Sequence, residues 1–156
     1  MTASDFLSYF SESRFIKELR SRTKDGALTE MAGVLAQAGG IGDSSVLLEM
    51  IRRRESLGST ALGRGVAVPH GRTTIASQTQ VVFARSRKGV DYDALDGEPC
   101  RLLFLIIAPY EDRRQEYLPL LGKIVELVNE DLVRGKLLDV STFAEFQQAI
   151  REAFRE

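Results

Sequence analysis

The run Arg101–Ala108, RLLFLIIA, constrains this chain more than any other stretch. After its arginine every residue is apolar, yet the run falls far short of the roughly 18–20 residues that cross a bilayer. It stops at Pro109, which has no N–H to give to a ladder. A short, continuously apolar run bounded in this way reads as a central strand buried on both faces.

The flanking sequence supplies the rest of the frame. Arg14–Leu19 reads as a first strand. Lys24–Ala38 reads as a helix with Leu28, Met31, Val34, Leu35 and Ala38 on one face, closed by Gly39, Gly40 and Gly42. Asp43 is placed to cap a second helix reaching Arg54, with Leu47, Met50 and Ile51 as its stripe. Ser56–Arg72 is punctuated by glycine and holds the apolar run Gly65–Val68, and Val81–Ser86 is β-like. After the central strand comes a helix starting at about Glu116–Leu118, because Pro119 fits only a first turn. Leu118, Leu121, Val125 and Val128 are its expected apolar stripe. Val133–Leu138 reads as a short helix. Thr142 and Glu145 form a capping box for a last helix with Phe143, Phe146, Ile150 and Phe154 on one face. Strands and helices alternating around one buried strand give an α/β sandwich.

Composition limits the function. The 156 residues suit one domain with a core of its own. With 21 basic against 22 acidic residues the formal charge is −1, so nothing points to nucleic acid or an anionic membrane surface. Met1–Phe10 has no basic cluster and is not a signal peptide. A lone cysteine, Cys100, forms no internal disulfide and reads as core. Together these features give a cytoplasmic expectation, with no membrane insertion.

The chain has one histidine, His70, in GRGVAVPHGR. Histidines that do nothing are commoner than catalytic ones, but this setting is specific. Val66–Val68 reads as a strand, and Pro69 is expected to end its ladder and leave the next side chain at a strand end. Gly71 is expected to let a partner backbone or a phosphate approach. Arg64 and Arg72 flank the position. One histidine and one distant cysteine do not make a metal site. Ser59 and Thr60 lack a nucleophile-elbow pattern, and there is no Walker loop for ATP. Histidine as nucleophile remains. A free imidazole, with a pKa of about 6.5, is mostly neutral and nucleophilic at cytoplasmic pH.

At this point the segment Arg54–Arg72, RESLGSTALGRGVAVPHGR, resembles the signature of type-2 enzyme IIA domains of the bacterial phosphotransferase system, the fructose/mannitol/nitrogen-regulatory type. There an Arg-Glu pair ends a helix, a Ser/Thr-x-x-Gly turn follows, and an apolar-Ala-x-Pro-His strand closes the run. The likeness continues through Tyr92–Leu103, YDALDGEPCRLL, and through Glu116-Tyr117-Leu118, where the family usually writes Glu-His-Leu. It implies a single domain over residues 1–156, with a mixed central β-sheet flanked by helices on both faces. It also implies a phosphoryl relay without cofactor or metal. The phosphocarrier HPr, or its nitrogen-branch analogue, would donate to His70, which would pass the group to an enzyme IIB domain or hold it as a signal. Arg54 would neutralise the phosphoryl oxygens through a bidentate contact. The Thr60 hydroxyl and backbone N–H groups near Gly63 and Gly71 would add to the cradle.

Tyr117 is the departure: it stands where the family places a second active-site histidine. Tyrosine keeps a donor but cannot become a cation. That tilts the expectation towards regulation, as does the lack of a IIB or IIC part within these residues. Its place at a helix start should aim the ring at His70, where the helix N-terminus would also favour an anion. The plainer alternative is a packing residue. Glu55 either orients Arg54 or caps its helix. Arg52 and Arg53 read as solvated, and Glu111–Arg114 as a charged loop. Three functions stay open: a relay carrier, a regulator of the same fold switched by phosphorylation, and an interaction module with an inert His70.

Overall fold

The computed structural model describes residues 1–155. Six strands form one mixed sheet: β1 Phe15–Ile16, β2 Ala61–Gly63, β3 Val66–Ala67, β4 His70–Thr73, β5 Gln80–Val90 and β6 Cys100–Pro109. The order is β1-β5-β6-β3-β2, with β4 pairing β6 farther along. The apolar run is therefore central. β6 is antiparallel to β5 on one side and parallel to β3 and β4 on the other.

Its two faces feed two cores. Leu102, Phe104, Ile106 and Ala108 point into a layer built from α1 Ala3–Leu7, α4 Tyr117–Val128, α5 Asp131–Asp139 and α6 Phe143–Phe154. Leu103, Leu105 and Ile107 point the other way, into α2 Lys24–Ala38 and α3 Ser44–Ser56. Each of these Leu, Ile and Phe side chains, fully buried, contributes about 1.5–3 kcal/mol, which is why the strand needs a helix layer on both sides. No described helix is long and apolar enough to cross a membrane.

Both expected caps form. Asp43 accepts from Ser45 N and Val46 N, and Thr142 accepts from Glu145 N. Three expectations need correction. The first strand shrinks to Phe15–Ile16, preceded by a 3-10 turn at Glu12–Arg14 and by α1, whose capping box of Thr2 and Asp5 holds five residues. The α4 stripe is out of phase. Tyr117, Leu120, Ile124, Leu127 and Val128 are buried, while Leu118 is 63% exposed. In LPLLGKIVELV almost every position is apolar, so two stripes compete, and the sheet takes the one set by Tyr117. Finally, Pro69 does not end the ladder. Its carbonyl accepts from Ile106 N at 2.9 Å, and the chain resumes at once as β4, with His70 opposite Ile106.

Candidate functional site

His70 is the first residue of β4, which pairs only with β6 and so has a free edge. The strand pleat sends alternate side chains to opposite faces. Gly71, opposite Ile107, faces α3, where a Cβ would run into Met50 Sδ. His70 and Arg72, opposite Ile106 and Ala108, face the α4 layer. Gly71 thus allows the close packing of α3 on β4.

The imidazole is half-buried, and its Nδ1 lies 2.6 Å from the Val68 carbonyl oxygen. A carbonyl only accepts, so Nδ1 carries the proton. The lone pair is then on Nε2, the ring nitrogen not engaged by that carbonyl. Across the edge stands Tyr117, the first residue of α4. Its ring centroid is 6.0 Å from that of His70, with an interplanar angle of 53°. The Arg72 guanidinium carbon lies 5.0 Å from the Tyr117 ring centroid. Burial pushes the Tyr117 phenol up, and the nearby Arg72 and Arg54 cations partly offset that push.

Arg54 sits in the last turn of α3 and donates from Nη1 to the Gly58 carbonyl at 3.1 Å. It has no ion-pair partner among the described residues. Its neighbours differ: Arg52 forms a bidentate pair with Asp25 at 2.8 and 2.9 Å, and Arg53 pairs with Glu49 at 2.7 Å.

Glu55 and Thr60 take a different place from the one expected. Glu55 neither orients Arg54 nor caps the helix. Its buried carboxylate receives the Thr60 hydroxyl, the Tyr92 hydroxyl at 3.0 Å and the Lys24 ammonium at 2.8 Å. Burial raises this carboxyl, but Lys24 together with Thr60 and Tyr92 outweighs it, and the net position is below the ordinary carboxylate range. Thr60 is 5% exposed with its hydroxyl committed to Glu55, so it is not a donor to a phosphoryl group. The pair instead knots the Leu57–Ser59 turn to α2 and to Tyr92.

The glycine cradle also shifts. Gly63 lies beside the Asp96 carboxylate, which accepts from Arg64 N at 2.9 Å. Arg64 and Gly65 both have positive φ, 57° and 80°, and close the β2–β3 hairpin. Arg64 donates to the Asn129 carbonyl at 3.2 Å, at the far end of α4, about 18 Å of helix away from Tyr117. Sequence reasoning missed Asp112. Its two carboxylate oxygens accept from Glu116 N at 3.0 Å and Tyr117 N at 2.9 Å, so the α4 N-terminus already holds an anion. No capping box announces it, because Asp112 lies four and five residues ahead and Gln115, at φ 53°, turns the chain back. Cys100 is core, its thiol pushed up to about 12 by burial and then by Asp96.

No cluster of three or more histidine, cysteine or acidic side chains that could hold a metal occurs among the described residues. A polar cavity of about 630 Å³ lies among Ser8, Tyr9, the 77–79 segment and the 109–116 loop, and His70 does not line it. His70 thus stands on the free edge of β4, with the Tyr117 ring beside it and the Arg72 guanidinium against that ring.

Comparison with known proteins places the whole fold in one family. The family described as "Phosphoenolpyruvate-dependent sugar phosphotransferase system, EIIA 2" matches residues 8–153. The fructose-specific EIIABC component of Bacillus subtilis is 36% identical over 124 residues, 80% of this chain but 19% of that longer protein. A nitrogen regulatory protein of Bradyrhizobium diazoefficiens is 35% identical over 119 residues, 76% of each chain. The crystal structure of the nitrogen regulatory protein IIA-Ntr of Neisseria meningitidis superposes with a TM-score of 0.84 at 29% identity, covering 92% of this chain and 97% of that one.

Proposed function

This chain belongs to the type-2 EIIA family of the phosphoenolpyruvate-dependent sugar phosphotransferase system, and from that premise we propose that His70 accepts a phosphoryl group on Nε2 from an HPr-type phosphocarrier. One observation supports the assignment: the 2.6 Å contact from Nδ1 to the Val68 carbonyl oxygen, which favours the tautomer with its lone pair on Nε2. The Nε2 lone pair attacks phosphorus in line. The donor's N–P bond breaks, and its electron pair returns to the donor imidazole. The proton stays on Nδ1, which goes on donating to the Val68 carbonyl, so the product ring is cationic and remains a good leaving group for the next transfer. The free N–H groups of Arg54 neutralise the phosphoryl oxygens while charge moves.

An acceptor on an open strand edge suits a protein donor better than a small substrate enclosed by a pocket. We assign the relay to the nitrogen-regulatory branch, because a tyrosine fills the place of the family's second histidine. Likeness to the fructose-specific EIIABC component favours one alternative, a sugar-specific IIA component passing the group to a IIB domain.

The test is phosphorylation by phosphoenolpyruvate and enzyme I, with sugar-branch and nitrogen-branch HPr-type carriers offered separately. One acid-labile, base-stable phosphoryl group is expected, absent in His70→Ala and delivered faster by the nitrogen-branch carrier. A stable label on the alanine variant would overturn the acceptor assignment. Rapid onward transfer to a sugar-type IIB domain would overturn the branch assignment.

A further inference from the structure

Resting on the reading of His70 as acceptor, we propose that Arg72 is a second catalytic cation of this site, held in place by the ring of Tyr117. Arg72 follows His70 by two residues on β4. The two side chains therefore leave the same face, with Cα atoms about 7 Å apart. Tyr117 stands beside both, its ring centroid 6.0 Å from the imidazole and 5.0 Å from the guanidinium carbon. A guanidinium over an aromatic face is attracted by the ring quadrupole, and its planar edge keeps N–H groups free for oxygen acceptors.

Arg72 is also uncommitted. Arg52, Arg53, Arg113 and Arg134 each pair with a carboxylate, whereas among the described residues Arg72 has no carboxylate partner. An exposed arginine held only by a ring loses no ion pair when it turns to a phosphoryl group. Arg54 comes from α3 and Arg72 from β4 itself, and both cations act on the Tyr117 phenol beside His70. The arrangement gives the tyrosine a function its hydroxyl lacks. A histidine at position 117 would carry charge itself, whereas Tyr117 carries none and positions a permanent charge from the neighbouring strand. Tyr117 is thus a positioning residue, and Arg72 the group that meets the phosphoryl oxygens.

Phosphoramidate tests this, because it is a small donor with no surface to dock. Its P–N bond breaks as Nε2–P forms, and nitrogen leaves as ammonia after taking up a proton. Arg72→Met, at an exposed position, should fold normally and capture phosphoryl from phosphoramidate at least tenfold more slowly. Tyr117→Leu should lose about as much, and Tyr117→Phe should retain most of the rate. The double variant Arg72→Met/Tyr117→Leu should be no slower than Arg72→Met alone, as expected for one coupled device. Melting temperatures measured alongside separate this from loss of packing, which would slow Tyr117→Leu independently of Arg72. A wild-type phosphoramidate rate in Arg72→Met, with slowing confined to the protein donor, would make Arg72 a docking residue and overturn the proposal. So would additive losses in the double variant. A wild type that takes no phosphoryl group on His70 removes the acceptor reading itself, and this proposal with it.

Discussion

Replacing Glu55 tests how the buried knot supports the site. Glu55 is 9% exposed and gathers Lys24, Thr60 and Tyr92 around one carboxylate. In Glu55→Ala the Thr60 amide is left without the carboxylate that now accepts it at 3.3 Å. A buried orphan of this kind costs about 1–3 kcal/mol. The Thr60 and Tyr92 hydroxyls, 3.0 Å apart, can still bond each other, and Lys24, with 23% of its side chain exposed, can turn to water. The loss therefore stays near the lower bound for breaking a buried pair, about 3 kcal/mol. For a domain of this size that lowers the melting temperature by about 6–12 °C. Glu55→Gln keeps the shape but sets an amide NH2 or a neutral oxygen against the ammonium, and should lose about 1.5–2 kcal/mol.

The sign with pH follows from the carboxyl's lowered folded position. The folded state holds this proton less tightly than the unfolded chain. Its stabilisation is complete above the ordinary carboxylate range and is lost as pH falls through it. Urea unfolding of wild type and Glu55→Gln at a series of pH values reads both quantities. The gap between the two should be widest near neutrality and should close below about pH 4. Equal urea midpoints at neutral pH, or a gap that widens on acidification, would refute the reasoning.

Three further outcomes follow. Arg54→Ala should slow phosphoryl capture by roughly 10²–10³-fold, about 3–4 kcal/mol, with partial recovery in Arg54→Lys and little change in Arg53→Ala, as read by single-turnover kinetics. Gly71→Ala should destabilise by about 1–2 kcal/mol through the clash with Met50, and the added change Met50→Ala should return part of that in thermal unfolding. Asp112→Ala should cost about 1 kcal/mol as a lost helix cap, and hydrogen exchange at the Tyr117 amide should speed up.

The frame was legible in the sequence because its signals are local. RLLFLIIA has no polar face, so it had to lie between two helix layers, and Asp43 and Thr142 announce helices by capping chemistry within three residues. α1 escaped because five residues are too few for a period, and the phase of α4 because its positions are apolar nearly all round. At the site, His70 and the Arg54–Glu55 pair stood out by rarity and spacing. The roles of Glu55 and Thr60 did not, because their partners Lys24 and Tyr92 lie about thirty residues away on either side. Asp112 was hidden in a run of charges that reads as an ordinary loop, and only the turn at Gln115 brings its carboxylate to the amides of Glu116 and Tyr117.

The chain's single histidine allows one spectrum to test the central claim. Protein labelled with ¹⁵N in the imidazole and phosphorylated by the phosphoenolpyruvate-driven relay should show one ¹⁵N–³¹P coupling, to Nε2, while Nδ1 keeps its proton and its bond to the Val68 carbonyl. Coupling to Nδ1, or a phosphorylated protein whose imidazole nitrogens show no coupling to phosphorus, would contradict the account.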